Sequence, residues 1–250
     1  MKIFLTTPSY NHTSAGIDVM HYLMYLLQLN GHRVHTSTSI LNHAYPILPI
    51  PDTYNSSSYN LHIMPQLFVP GYPIVKPTMR WVLFYPGRCG DQKKYGPYEV
   101  CFHWHPKYET ASKDASYFHT SELFNLPCLD KTEYEFPQVP RKGDLFFIYK
   151  GQNANTHPTT AAEITRKDPA ARKDLLKLLR THETLYTYDR DTRLSIEAHL
   201  MGMTVLEWDK EAVSWTPFSP APEDIKFRDP EKDKLLIPPM LENFKLRSKF

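Results

Sequence analysis

Apolar and polar positions along this chain alternate between a period of two and a period near 3.6, and the changes of period divide it into elements. Residues 3–5 form a short apolar run that reads as a buried first strand, and 8–16 a loop of small and polar residues. Met20, Leu23, Met24 and Leu27 recur at i, i+3, i+4 and i+7, and Gly31 supplies a stop, so a helix is expected before a second strand from Arg33. Residues 42–60, rich in Pro, Asn, Ser and Tyr, read as a long connection. Strand-like runs follow at 61–64, 81–85, 99–103 and 116–119. Pro137, Pro140 and Gly143 mark a boundary, after which a strand at 144–149 restarts the pattern. A short strand at 161–166 precedes Asp168 as an expected N-cap with Pro169 at the first helical position, and a helix over 172–180 turns Leu175, Leu176, Leu178 and Leu179 inward. The run 185–188 then meets a polar turn, a segment with Leu194, Glu197, Ala198 and Met201 at helical spacing, Gly202, and a last run through Val205 to Trp208. Beyond Trp208 the chain is proline-rich, with a terminal helix expected over 239–248.

Strand and helix alternate throughout, which predicts an α/β protein of two Rossmann-like domains. The expected division is a first domain over 1–140, a short second domain over 141–210, and a tail over 211–250.

Composition narrows the function by exclusion. Acidic and basic residues nearly balance, at a net charge of +2 over 250 residues, and no block of like charge appears. Neither nucleic-acid nor membrane binding is therefore argued by charge. After Met1 the chain passes through Lys2 into a five-residue β-like run, too short for a signal peptide, and it contains no stretch of eighteen apolar residues, so a cytoplasmic protein is expected. Cys89, Cys101 and Cys128 are widely spaced, which suggests neither a disulfide framework nor structural zinc. His103 and His105 alternate on one strand, but no third ligand is spaced to join them, and no metal is expected. No Gly-x-Gly-x-x-Gly follows the first strand, which weakens a dehydrogenase reading.

The candidate chemistry centres on 185–208. In an open α/β sheet ligands collect at the carboxyl ends of the strands, and the first-turn amides of the next helix hold phosphate. Seven residues separate Asp189 from Glu197, which puts one acid in the turn and the other inside the helix, both able to face one nucleotide. The run Glu197-Ala198-x3-Gly202-x-x-Val205 resembles the sugar-nucleotide site of GT-B glycosyltransferases, whose retaining members carry Glu-x7-Glu and Glu-Ala-x3-Gly-x-x-Val; here the first acid is Asp189. Gly31-His32 before the second strand, the Pro86-Gly87-Arg88 turn with Tyr95-Gly96, and the Ile-Thr-Arg-x-x-Pro-x-x-Arg spacing from Ile164 are similar to the same family.

The resemblance implies a GT-B-like fold whose tail crosses back to the first domain, and transfer of a sugar from a nucleoside-diphosphate donor to a hydroxyl acceptor with retention. Glu197 is then expected on the donor ribose, and the diphosphate on the amides of Thr192 and Arg193, the Thr192 hydroxyl, Lys150 or the Gly151 amide, Arg166 and Arg88. Asp189 is expected beside the transferred sugar, or as a cap of the following helix; His105 or His103 would approach from the first domain, or simply pack there. Ser14, Gly16 and Asp18 are placed on the acceptor side, Asp18 also being a natural partner of a helix dipole. No cofactor is implied beyond the donor substrate. The acceptor is left open between a glycan or lipid-linked saccharide and a hydroxymethylated base of phage DNA, the latter in a host cytoplasm. The sequence does not specify an oligomer. A non-catalytic nucleotide-sugar-binding or assembly protein of the same fold is the alternative.

Overall fold

The computed structural model describes residues 1–38, 42, 45, 58–66, 78–84, 99–108, 119–137, 139–149, 151, 155–190 and 192–248. Arg88, Cys89, Tyr95 and Lys150 lie outside the described residues, as does most of 42–60. Two compact units emerge: Met1–Cys128 with Arg228–Phe250, and Leu129–Phe227, where the sequence boundaries were drawn at 140 and 210.

The first unit is a six-stranded sheet in the order β2-β1-β3-β4-β5-β6, formed by β1 (Lys2–Leu5), β2 (Arg33–Thr36), β3 (Leu61–Pro65), β4 (Thr78–Val82), β5 (Glu99–His103) and β6 (His119–Leu123). Every pairing is parallel. Register aligns the apolar positions: Ile3 faces Leu61, Ile63 faces Met79, and Trp81 faces Phe102. These residues share one core with α1 (Ala15–Leu29), whose Val19, Leu23, Met24 and Leu27 are buried. Ser14 caps α1 by accepting from the Ile17 amide, and Gly31 ends it at φ 73°, a conformation that glycine adopts without a Cβ penalty. The opposite sheet face carries Phe4, His62, Arg80 and His103, also buried.

Of the expected tail, only the part from Arg228 onward belongs to this unit. Ile237, Met240, Leu241 and Phe244 of the terminal helix Ile237–Arg247 enter the same core as α1. Arg228 pairs with Asp18 at 2.7 Å, and Tyr22 donates to Asp233 at 2.6 Å.

The second unit is a five-stranded sheet in the order β11-β10-β9-β7-β8, from β7 (Asp144–Phe147), β8 (Ala162–Glu163), β9 (Thr184–Thr187), β10 (Thr204–Asp209) and β11 (Ser214–Pro217). Only β10 with β11 is antiparallel. Leu145, Phe147, Leu185 and Val205 meet Leu175, Leu176 and Leu179 of α2 (Arg172–Thr181) and Ala198 of α3 (Arg193–Leu200) in one core. The opposite face is aromatic: Tyr188, Trp208 and Trp215 pack edge to face or tilted, at 5.0 to 6.1 Å. No helix occurs among the described residues of the β7–β8 connection. Its residues Thr156 and His157 lie on that face instead, His157 stacking on Phe146 at 3.9 Å and the Thr156 carbonyl accepting from the Trp215 indole.

Three expectations are corrected. Asp168 does not cap α2; Ala171 holds that position without a side-chain bond, because Asp168 is used in a turn in which its carbonyl accepts from the Thr165 amide. The strand expected over 161–166 is confined to Ala162–Glu163 by the same turn. β11 was not anticipated; the Asp209 carboxylate closes its hairpin by accepting from the Glu211 and Ala212 amides. No helix among the described residues is long and apolar enough to cross a membrane.

Candidate functional site

In the second unit the chain passes from β7 to β8 on one side and then to β9 on the other, so the connections leaving the carboxyl ends of β7 and β9 diverge. This is the topological switch point, where open α/β sheets bind ligands. The two connections that border it begin at Ile148 and Tyr188 and include Gly151, Asp189 and Thr192.

Close packing joins those connections. A Cβ on Gly151 would lie 2.0 Å from the Tyr188 carbonyl oxygen, so only glycine fits. The Gly151 amide itself donates to Ile148. Tyr188 is 2% exposed, and its hydroxyl meets the Thr156 amide at 3.2 Å and His157 Nδ1 at 2.8 Å. Asp189 follows it, 4% exposed, its backbone bonded both ways to the Thr187 hydroxyl. Thr192, rather than Asp189, caps α3 by accepting from the Ser195 amide. Ser195 donates in turn to the buried Glu207 at 3.0 Å.

Glu197 lies one turn into α3 and is buried in an ion-pair network. Arg172 donates to both of its oxygens, at 2.7 and 3.0 Å, Arg193 to Oε1 at 2.9 Å, and the Tyr134 hydroxyl to Oε1 at 3.2 Å. Glu133 takes the other edge of Arg172 at 2.6 Å. Burial alone would push the Glu197 carboxyl up, but Arg193 and Arg172 hold it below its ordinary value. Burial, with the negative charge of Glu197 beside it, raises the Tyr134 hydroxyl. Two carboxylates thus balance two guanidiniums, and Oε1 of Glu197 already accepts three hydrogen bonds.

The structure therefore brings Thr192, Arg193 and Glu197 together, with Arg193 turned toward Glu197. Arg166 is not in this group: its guanidinium lies 4.7 Å from the ring centre of Tyr149 and donates to the Tyr149 hydroxyl. In the first unit, Ser14 caps α1 and Gly16 and Asp18 lie in its first turn, at that sheet's own switch point between β1 and β3. Asp18 is buried against Arg228, whose guanidinium also lies 4.8 Å over the Tyr22 ring. His105 follows β5, partly buried, its Nδ1 accepting from the Lys107 amide at 3.1 Å. Among the described residues no group of three or more His, Cys, Asp or Glu is disposed to hold a metal.

Sequence reasoning assigned no role to Glu133, Tyr134, Tyr149, Tyr188 or Arg228, and noted Arg172 only as the last residue of the Ile-Thr-Arg-x-x-Pro-x-x-Arg spacing. One signal was present: Arg172 and Arg193 each occupy the first position of a helix, where the dipole disfavours a cation unless an anion is near. No protein-family model matches the chain, and no curated protein matches it in sequence.

Proposed function

We propose that the protein is a glycosyltransferase that moves a sugar from a nucleoside-diphosphate donor to a hydroxyl acceptor. The observation that carries the reading is the switch point of the second unit, where a strand, a turn bearing a buried acid and a threonine-capped helix follow one another. The donor diphosphate takes the amides at the start of α3 and the Thr192 hydroxyl, where backbone donors and the helix dipole favour an anion. Asp189 stands beside the sugar. Glu197 supports the site mainly by holding Arg193 and Arg172, since three donors already meet its Oε1. Transfer proceeds with retention, the leaving phosphate taking the acceptor proton. The acceptor is a glycan, a lipid-linked saccharide or a hydroxylated DNA base; binding to DNA that weakens with salt would select the last.

The same saturation of Glu197 favours a second reading, a nucleotide-sugar-binding protein that does not catalyse transfer. One experiment addresses both. Thermal unfolding is followed with UDP, GDP, CDP, dTDP and ADP, and each stabilising nucleotide is then supplied as its sugar conjugate without acceptor. A ligand at a hundred times its Kd adds about 2.7 kcal/mol of stability. Stabilisation with slow release of free sugar supports the transferase, stabilisation without release supports the binding protein, and no stabilisation rejects both.

A further inference from the structure

Tyr149 lies two residues beyond β7, in the turn at the switch point, with φ 35°, in the left-handed region, and is 48% exposed. Glycine would relieve that backbone, and the loop has a glycine two residues on, at Gly151, where the Tyr188 backbone excludes any side chain. A large aromatic ring is thus kept where the backbone disfavours it and solvent reaches it. Its neighbour is a guanidinium: Arg166, just beyond β8, lies over the ring at 4.7 Å and donates to its hydroxyl, fixing the ring plane.

Across the sheet the order is β9, β7, β8, so α3 opens on one flank of β7 while Arg166 stands on the other. Two strand spacings, about 10 Å, separate those flanks. A diphosphate at the start of α3 therefore directs a ribose across the end of β7 and a base toward Tyr149.

We propose that Tyr149, backed by Arg166, is the wall on which the donor nucleobase stacks. The proposal rests on the donor site described under the transferase reading, and it assigns Arg166 to the base rather than to the diphosphate. Stacking on an aromatic ring is tolerant of base identity, so this wall contributes affinity for a nucleoside over a bare diphosphate.

Titration calorimetry of the full chain with nucleoside diphosphates and with inorganic pyrophosphate tests it. Tyr149→Ala is expected to weaken the nucleoside diphosphate by about tenfold or more and to leave pyrophosphate unchanged. Tyr149→Phe, which keeps the ring, stays nearer to wild type. Tyr149→Gly binds as weakly as Tyr149→Ala yet melts no lower than wild type, an outcome a purely structural tyrosine would not give. If wild type binds nucleoside diphosphates and Tyr149→Ala changes both ligands equally or neither, the stacking wall is wrong and the transferase reading survives. If wild type binds neither ligand, the two fall together.

Discussion

Arg172 and Glu197 are joined by two hydrogen bonds at 2.7 and 3.0 Å, although one opens α2 and the other lies inside α3. Glu197 is 2% exposed and Arg172 17%. Removing one partner of such a pair leaves a buried charge uncompensated, at a cost of about 3–5 kcal/mol. Glu197→Ala removes the buried carboxylate that Arg193 and Arg172 share, leaving Arg172 with Glu133, and should lose stability toward the lower end of that range in urea unfolding. Arg172→Met should cost less, because Arg193 and Tyr134 still serve Glu197. The pH dependence has a defined sign. The folded carboxyl titrates below its ordinary 4.5, so its contribution is complete above that pH and is lost as pH falls through the folded value. Glu197→Gln should flatten the acid limb of the stability curve below about pH 4.5.

Gly151 and Gly16 predict opposite outcomes for the same change. At Gly151 an added Cβ meets Tyr188 carbonyl oxygen, carbonyl carbon and Cβ at 2.0, 2.3 and 2.5 Å, so backbone must move. Gly151→Ala should cost about 1–3 kcal/mol or more and disturb the turn carrying Asp189. At Gly16, in the first turn of α1, the nearest atom is Leu83 Cδ1 at 3.6 Å, an ordinary contact. Gly16→Ala should be neutral or stabilise by up to about 1 kcal/mol. If the acceptor approaches the backbone there, the variant will lose turnover while its melting temperature holds.

The stretch from Leu185 to Trp208 was legible because each change of period is marked locally: a β-rich run, a polar turn, helical spacing, and Gly202, found at φ 83°. The ion-pair network was not, because Glu133 and Tyr134 come from one short turn and Arg172 from the start of α2, all far from Glu197 in sequence, and only the fold brings them together. The partner of Asp18 lies 210 residues away, beyond any local pattern. β11 was hidden by its brevity and by Pro217 at an edge, where a missing amide is tolerated.

The tail should be required for the first unit to fold. Ile237, Met240, Leu241 and Phe244 are each 5% exposed or less, and burying such side chains contributes about 1.5–3 kcal/mol apiece. A chain ending at Phe227 should therefore lose the first unit's cooperative transition. The milder Tyr22→Phe removes only the bond to Asp233, whose Oδ2 keeps the Asp229 amide at 2.9 Å. It should cost about 1.5–3 kcal/mol, as hydrogen bonds to charged groups do, in chemical unfolding.

His62 sets a second pH dependence, of opposite chemical origin to that of Glu197. It is 1% exposed, with Nε2 2.6 Å from the Thr6 hydroxyl and no partner at Nδ1. Burial first, and the charge of Arg80 second, push its pKa from 6.5 to about 4. Protonation would add a second N–H with nowhere to donate, so the folded state keeps the neutral ring. Between about pH 6.5 and 4 the unfolded chain binds a proton that the folded chain refuses, so stability falls as pH falls across that window. The loss approaches a ceiling of about 3 kcal/mol below pH 4. His21 and His35 are shifted down as well, so the wild-type slope is shared, and the difference between proteins isolates His62. His62→Gln, which can still meet Thr6 and cannot titrate, should have a visibly shallower fall in urea midpoint from pH 6.5 to 4. Equal slopes would mean that the ring is protonated in the folded state and that the pocket accommodates its charge.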